Sequence, residues 1–203
     1  MLAVAILAAG QSQRMGQPKA LVPFQGLSFV EHLITATRHA RIGVTRVVLG
    51  AGANQIRAKL PVDLVSIVVN SDWPKGQLSS IHAAIRSLPA GGSEGLMICP
   101  VDHPLISPHL VARLLGAFDA SGKAVVLPKY HGRRGHPVIF RAALYDELLA
   151  APMAVGARQV VWDHAAEVAE VDTEEKGVIL NLNDPETLRK ALGHMEPPAR
   201  GTL

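Results

Sequence analysis

The chain has 203 residues, with 48% hydrophobic, 18% charged and 4% aromatic residues and a formal net charge of +3. This length and composition suit one sizeable α/β domain with a large core, and they exclude a disordered protein. The few aromatic residues argue against a single-stranded nucleic-acid surface. The small net charge, without a block of Lys or Arg, argues against nucleic acid in general.

Short apolar runs alternate with amphipathic stretches along the chain, and this alternation is typical of an α/β fold. Periodicity predicts strands at residues 2–7, 46–49, 64–69, 96–100, 124–127, 137–140, 167–171 and 178–180. It predicts helices at residues 28–40, 54–60, 78–88, 108–118, 142–149, 156–164 and 185–192. The basic segment 129–135 is predicted to be a loop. Ligands of open α/β sheets bind at the carboxyl ends of strands, where this chain places its polar motifs.

The first strand runs into the loop L-A-A-G-Q-S-Q-R-M-G-Q-P-K at residues 7–19, which contains Gly10, Gly16, Arg14 and Lys19. Glycines let backbone N–H groups approach an anion closely, and the two cations add the charge that a triphosphate requires. The loop therefore predicts phosphate binding. The alternative is a tight turn with two surface cations. The spacing matches neither a Walker A loop nor a dinucleotide-binding fingerprint.

Two polar residues after later strands are candidate metal ligands. Asp102 follows the fourth strand, where a carboxylate is well placed to hold Mg²⁺; the alternative is an acidic loop or cap residue. Asn183 precedes a predicted helix, and its amide oxygen either ligates the metal weakly or has no such role. The neighbouring Asp184 and Pro185 fit a helix start. His103 either orients Asp102, contacts a substrate or is an ordinary loop histidine.

Residues 7–19 resemble the signature loop of the nucleotidyltransferases that have a Rossmann-like domain. Three further segments narrow the resemblance to the molybdenum-cofactor cytidylyltransferase group: N-S-D-W-P-K-G-Q-L-S-S at residues 70–80, G-H-P-V at 135–138 and G-A-R at 156–158. The resemblance implies a three-layer α/β/α sandwich around a mostly parallel sheet. The chain departs from the group at two points. Asn183 stands where an acid is usual, and Asp102-His103-Pro104 stands where Asp-Gln-Pro is common.

The resemblance implies an Mg²⁺-dependent enzyme that transfers a nucleoside monophosphate to molybdopterin and releases pyrophosphate. It favours CTP, because Ala9-Gly10 stands where guanylyltransferases usually have Gly-Gly, and it makes a molybdoenzyme a candidate partner. The alternatives are transfer to a sugar or polyol phosphate and a non-catalytic cofactor-binding protein. The implied catalytic residues are Arg14, Lys19 and Asp102, with Asp102 and Asn183 at the metal. Arg134 and His136 would bind the acceptor. The implied nucleotide-binding residues are Leu7, Ala8, Ala9, Gly10, Arg14, Lys19, Gly76, Ser79, Ser80 and Asp102.

Cys99 is the single cysteine, so no internal disulfide can form, and we expect a reducing, cytoplasmic location. Residues 1–9 are apolar, but a glycine loop follows them directly and no cation precedes them, so they are not interpreted as a signal peptide. No apolar run approaches the length of a membrane span. We expect residues 1–195 to form one domain and residues 196–203, with two prolines, to form a frayed tail.

Overall fold

An eight-stranded, mostly parallel sheet forms the centre of the computed structural model, which describes residues 1–60, 65–89 and 91–193. The strands are β1 (Leu2–Ala8), β2 (Pro23–Phe24), β3 (Leu27–Ser28), β4 (Ile42–Leu49), β5 (Ser66–Val69), β6 (Gly95–Pro100), β7 (Val125–Tyr130), β8 (Arg133–Arg134), β9 (Val138–Arg141) and β10 (Val168–Asp172). The helices are α1 (Phe29–Ala36), α2 (Ala53–Arg57), α3 (Gln77–Arg86), α4 (Pro108–Ser121), α5 (Tyr145–Ala150), α6 (Arg158–Asp163) and α7 (Pro185–Gly193).

The strand order is β10-β7-β9-β6-β1-β4-β5, with β8 paired to β7, while β2 and β3 form a separate hairpin. β9 runs antiparallel to both of its neighbours, β6 and β7. The pairs of β1 with β4 and β6, of β4 with β5 and of β7 with β10 are parallel. The ends of β1 and β6 therefore meet at one edge of the sheet, as the sequence predicts for its polar motifs.

Every residue of β1 is buried, because helices cover both faces of the sheet. Alternate residues Val4 and Ile6 belong to the cluster that includes buried side chains of α1 and α4. Ala5 and Leu7 belong to the opposite cluster, with side chains of α3 and α5. A strand buried on both faces reads as a continuous apolar run. This confirms the predicted three-layer α/β/α sandwich. Among the described residues, no helix is both long and apolar enough to cross a membrane.

The structure corrects several predicted elements. Residues 178–180 are not a strand, because Lys176–Ile179 forms a 3₁₀ helix. The predicted loop at 129–135 includes the end of β7 and all of β8, which pair as a short hairpin. The first long helix ends at Ala36, four residues early, where the Thr37 hydroxyl donates to the carbonyl of Leu33 at 2.7 Å. The predicted tail at 196–203 and residue 64 lie outside the described residues.

Residues 176–183, hereafter the crossing segment, pass over the carboxyl edge of the sheet instead of joining it. A Cβ atom on Gly177 would lie 2.6 Å from the carbonyl oxygen of Leu105, and one on Gly135 would lie 2.3 Å from that of Val178. The backbone N–H of His136 donates to Val178 at 2.8 Å. Val178 and Leu182 are buried in the core cluster, and Ile179 and Leu180 pack against it partly buried. This burial produces the sequence pattern of a strand without a strand partner.

Candidate active site

A cavity of about 230 Å³ opens where β1 and β6 end and α3 begins. Most of the predicted nucleotide-binding residues line it: Leu7, Ala8, Ala9, Gly10, Lys19, Gly76, Ser80 and Asp102. Ser12, Trp73 and Gln77 also line it, and sequence reasoning did not select them. Trp73 and Gln77 lie inside the 70–80 motif, on either side of Gly76. Their position in this motif is the sequence feature from which their place at the cavity could have been predicted. Arg14 and Ser79 do not line this cavity.

The glycine loop after β1 is held in shape by its own polar side chains. Ser12 adopts a left-handed backbone conformation (φ 56°), and its hydroxyl accepts a hydrogen bond from the backbone N–H of Lys19 at 2.9 Å. Gly16 also has a positive φ, 68°, which glycine adopts without a steric penalty. Arg14 is exposed on the short 3₁₀ turn between these residues. The loop is therefore held in a defined conformation beside the cavity, which Ala9, Gly10 and Ser12 line.

Lys19 connects the glycine loop to the other two polar elements of the site. Its Nζ donates to Oδ1 of Asn183 at 2.5 Å and lies 3.8 Å from Oδ2 of Asp102. Burial lowers the pKa of Lys19 below that of an exposed lysine, and the Asp102 carboxylate partly opposes this shift. The ammonium group is thus held at a partly buried position facing the cavity, where its charge is poorly screened by water.

The crossing segment brings Asn183 to the site. The backbone N–H of Leu182 donates to the carbonyl of Asp102 at 2.8 Å, which ties the loop after β6 to the chain 80 residues later. Asp184 turns away into a structural role, because its Oδ1 accepts from the N–H and the hydroxyl of Thr187 at 2.8 and 2.9 Å. These bonds lower the pKa of Asp184. Asp184 thus caps α7, as the sequence predicts, and leaves Asn183 beside Lys19.

Asn70 holds the loop between β5 and α3. Its buried Nδ2 donates to the hydroxyls of Ser79 and Ser80 at 2.8 and 3.1 Å, and its Oδ1 accepts from the backbone of Asp72 at 2.9 Å. Ser79 in turn donates to the carbonyl of Gly76 at 2.7 Å. Ser79 is therefore part of the clamp that fixes the loop, whereas Ser80 reaches the cavity wall. Gly76 has φ 102°, a conformation that favours glycine.

Gly50, at the end of β4, makes room for the indole ring that forms one wall of the cavity. A Cβ atom at this position would lie 2.6 Å from Cγ of Trp73 and 2.7 Å from the carbonyl oxygen of Ala9. The same carbonyl accepts the backbone N–H of Ala51 at 3.0 Å. The close packing of Gly50 thus sets the positions of Trp73 and of the glycine loop together.

We expect Gly50→Ala to lower the free energy of unfolding by about 1–3 kcal/mol, because the added methyl group overlaps both neighbours. Gly116 on α4 is the matched control, since a Cβ there meets nothing within 4 Å. Gly116→Ala should raise the free energy of unfolding by about 0.5–1 kcal/mol, as expected for a helix interior. Urea denaturation of both variants measures these changes. Equal stability of Gly50→Ala and the parent chain would show that Trp73 is not fixed by this contact.

His103 and His136 lie next to Asp102, with their ring centroids 4.8 Å apart. Nδ1 of His103 is 3.4 Å from the carbonyl of Gly177. Burial lowers the pKa of His103, and burial together with His103 lowers the pKa of His136 to about 4. Both imidazoles are therefore neutral at pH 7 and contribute hydrogen-bonding atoms, not charge. Among the described residues, Nδ1 of His136 is a buried side-chain atom without a hydrogen-bond partner.

A second cavity, of about 360 Å³, adjoins the first, and Gln77 lines both. His136 and Arg158 also line the second cavity, together with apolar side chains of α3, β6 and β9. Arg134, which the resemblance places with His136 at the acceptor, lines neither cavity. It is exposed on β8, where its Nε donates to Glu170 at 2.8 Å. The structure thus separates Arg134 from His136 and brings Arg158 to the same cavity as His136.

The oxygen atoms at the first cavity suit a hard divalent cation that is shared with a substrate. No cluster of three His, Cys, Asp or Glu side chains that could hold a metal occurs within residues 1–60, 65–89 and 91–193. Magnesium bound to phosphates needs only one or two protein oxygen ligands, because the phosphates and water supply the remainder. Asp102 and Asn183, both beside Nζ of Lys19, provide such oxygens. The residues present therefore fit a phosphate-bridged metal.

Comparison with known proteins shows that most of this sequence is similar to one family of domains. Residues 4–168 match the family model described as "MobA-like NTP transferase domain". The match ends before the crossing segment and Asn183. Nicotine blue oxidoreductase of Paenarthrobacter nicotinovorans is 32% identical over 145 residues, which are 68% of this chain and 70% of that protein. The bifunctional protein GlmU of Stutzerimonas stutzeri strain A1501 is 38% identical over 116 residues, 56% of this chain. Those residues are only 25% of that protein's own length.

Solved structures share the fold at low sequence identity. Rv0371c from Mycobacterium tuberculosis H37Rv superposes with a TM-score of 0.82 at 24% identity, covering 95% of this chain and 97% of that one. Molybdopterin-guanine dinucleotide biosynthesis protein A from Archaeoglobus fulgidus superposes with a TM-score of 0.68 at 20% identity, covering 93% and 96%. A further structure of Rv0371c is described as a complex with manganese. At these identities the superpositions establish the Rossmann-like fold that the sequence predicts.

Proposed function

The chain belongs to the family of MobA-like NTP transferase domains, and on this premise we propose that it transfers a nucleoside monophosphate from a triphosphate to a phosphate-bearing acceptor. The observation that carries this proposal is the first cavity. There the glycine loop, Lys19 and Asp102 meet at the carboxyl ends of two parallel strands. Backbone N–H groups and a cation suit the phosphates of a nucleotide, and the carboxylate suits the metal that accompanies them.

In the proposed reaction, a phosphate oxygen of the acceptor attacks the α-phosphorus of the nucleotide. The bond from the α-phosphorus to the oxygen that bridges it to the β-phosphorus breaks, and pyrophosphate leaves with that electron pair. Such chemistry depends on positioning and charge neutralisation more than on acid–base groups. Lys19 holds its ammonium charge at the phosphates, and the glycine loop aligns them through its amides. Arg14, exposed at the rim of the loop, is proposed to contact the leaving pyrophosphate.

Asp102 and Asn183 are the proposed ligands of Mg²⁺. When bound, the metal supplies charge neutralisation on the triphosphate. Metal dependence is a property of the family, and the manganese complex of Rv0371c agrees with a divalent ion in this fold. In the structure, Oδ1 of Asn183 already accepts a hydrogen bond from Nζ of Lys19. A metal ion bound to this oxygen would therefore compete with the ammonium group. Asp102 is therefore proposed as the principal ligand.

We propose CTP as the nucleotide and molybdopterin as the acceptor. Ala9 is buried and lines the first cavity, where its methyl group takes space that a second glycine would leave open. The second cavity supports an acceptor that has both a ring and an anionic group, because its lining combines apolar side chains with Gln77, His136 and Arg158. A molybdoenzyme is the proposed recipient of the product.

A pyrophosphate-release assay with CTP, GTP and UTP tests the proposal, each nucleotide paired with purified molybdopterin or with sugar phosphates. We expect release with CTP and molybdopterin in the presence of Mg²⁺, and loss of release when the metal is removed by a chelator. Turnover with sugar phosphates alone would replace the acceptor by that class. Binding of molybdopterin without release under any condition would indicate a non-catalytic cofactor-binding protein.

A further inference from the structure

The second cavity carries an unassigned cation, Arg158. The guanidinium group lies 5.9 Å from the ring centroid of Trp162, one turn along α6, and forms no ion pair with any described residue. The turn before α6 is hydrogen-bonded: the N–H groups of Val155 and Gly156 donate to Pro152 at 3.0 and 2.8 Å, and Gly156 has φ 77°. Arg158 is therefore presented from an ordered turn, with its charge unneutralised.

The remaining polar groups of this cavity cannot supply that charge. Gln77 is uncharged, and His136 contributes a buried imidazole whose Nδ1 lacks a hydrogen-bond partner. No carboxylate of a described residue lines the cavity. The apolar wall, which includes Leu78, Ile98, Val138 and Phe140, excludes water from one side. Among the described residues that line this cavity, Arg158 is thus the cation with which an entering anion can pair.

The unpartnered Nδ1 of His136 independently points to a ligand. A buried polar atom without a partner is costly, and ligand binding is one way to satisfy it. His136 lines the second cavity and lies beside His103 and Asp102, where the two cavities adjoin. A phosphate-bearing molecule in the second cavity could therefore meet both an imidazole at the junction and a guanidinium.

Arg134, the other cation near the hairpin, is neutralised elsewhere. Glu170 accepts from Arg134 Nε at 2.8 Å and from Lys129 Nζ at 2.6 Å, and these bonds lower the pKa of Glu170. The three side chains tie β7, β8 and β10 together at the surface. Removing Arg134 would disturb this edge of the sheet, not the cavity.

We propose that Arg158 binds the anionic group of the acceptor and thereby determines its affinity, a role that rests on the nucleotidyl transfer proposed above. The guanidinium fork forms charge-assisted hydrogen bonds to phosphate oxygens, and the ring centroid of Trp162 lies 5.9 Å from it, within cation–π range. Arg158 acts on acceptor binding and not on the nucleotide, because it lines the second cavity alone.

Steady-state kinetics of Arg158→Ala, with molybdopterin varied at saturating CTP and Mg²⁺, test this role. The KM for molybdopterin should rise about tenfold or more, while the KM for CTP and the kcat should stay within about twofold. Arg158→Lys, which keeps the charge without the fork, should recover part of the loss. Arg86→Ala removes another exposed arginine, at the end of α3, and should change neither KM. Far-ultraviolet circular dichroism confirms that each variant is folded.

Titration calorimetry with molybdopterin in the absence of nucleotide separates this inference from the proposed function. Weaker binding to Arg158→Ala than to the parent chain supports the role even where no pyrophosphate is released. Unchanged acceptor affinity in Arg158→Ala overturns it. So does a tenfold loss in Arg134→Ala without one in Arg158→Ala. No heat of binding with the parent chain, for molybdopterin or for sugar phosphates, also overturns it.

Discussion

Asp102→Ala should lower the kcat/KM for pyrophosphate release by about 10³-fold, because among the described residues it removes the one carboxylate that lines the first cavity. The fold should persist. The contact of this loop with the crossing segment uses the backbone carbonyl of Asp102, which accepts from Leu182 and is retained in the variant. Pyrophosphate release measured over a range of Mg²⁺ concentrations reports the loss, and higher Mg²⁺ should restore little of it.

Asp172→Ala is a suitable control, since its carboxylate is 82% exposed, pairs with Lys129 at the end of the outermost strand β10 and lines neither cavity. It should retain the parent rate. Asp102→Asn extends the test, because it preserves the shape of the side chain and removes the charge. Full turnover by Asp102→Ala, with unchanged Mg²⁺ dependence, would refute the assignment of this carboxylate to the metal.

Lys19→Ala should lower kcat by about 10²-fold, since a preorganised charge at the phosphates is lost from a partly buried position. The variant also leaves Oδ1 of Asn183 without its 2.5 Å donor. Lys19→Arg should not restore the rate, because the planar guanidinium group is larger than the ammonium group and does not fit between Asn183 and Asp102. Single-turnover kinetics with excess enzyme separate the transfer step from product release.

Lys59→Ala serves as the matched control, because this lysine is exposed two residues after α2 and lines neither cavity. It should leave the single-turnover rate unchanged. If Lys19→Ala transferred at the parent rate, Lys19 would have no part in catalysis, and its contact with Asn183 would be structural.

The sequence was informative where local pattern and burial coincide. Residues of β1 and β6 are buried on both faces, so their apolar runs predict strands, and the polar residues that follow predict the site. Residues 178–180 were wrongly predicted to form a strand. An apolar run indicates that a segment is buried, but it does not show which elements the segment packs against. Here Val178 is buried in the main core cluster, and its carbonyl accepts from the backbone N–H of His136 and not from a strand of the sheet.

The sequence alone also did not show which of two arginines, Arg134 or Arg158, lies at the cavity of His136. Arg134 belongs to a conspicuous run of charges, yet its partner Glu170 comes from a different strand. Arg158 is less conspicuous, and only the three-dimensional arrangement places it at the cavity of His136. The G-A-R motif at 156–158 was the available signal. Which cations remain unpaired depends on neighbours distant in the chain, so composition and spacing do not determine it.

The hydrogen bond between Lys19 and Asn183 joins residues 164 positions apart. During synthesis, the glycine loop leaves the ribosome long before its partner has been translated. Until residue 183 is available, the lysine ammonium lacks its amide acceptor, and the loop after β6 lacks its tie to Leu182. A nascent chain therefore cannot assemble this centre early, and competence to bind a nucleotide correctly should appear late in translation.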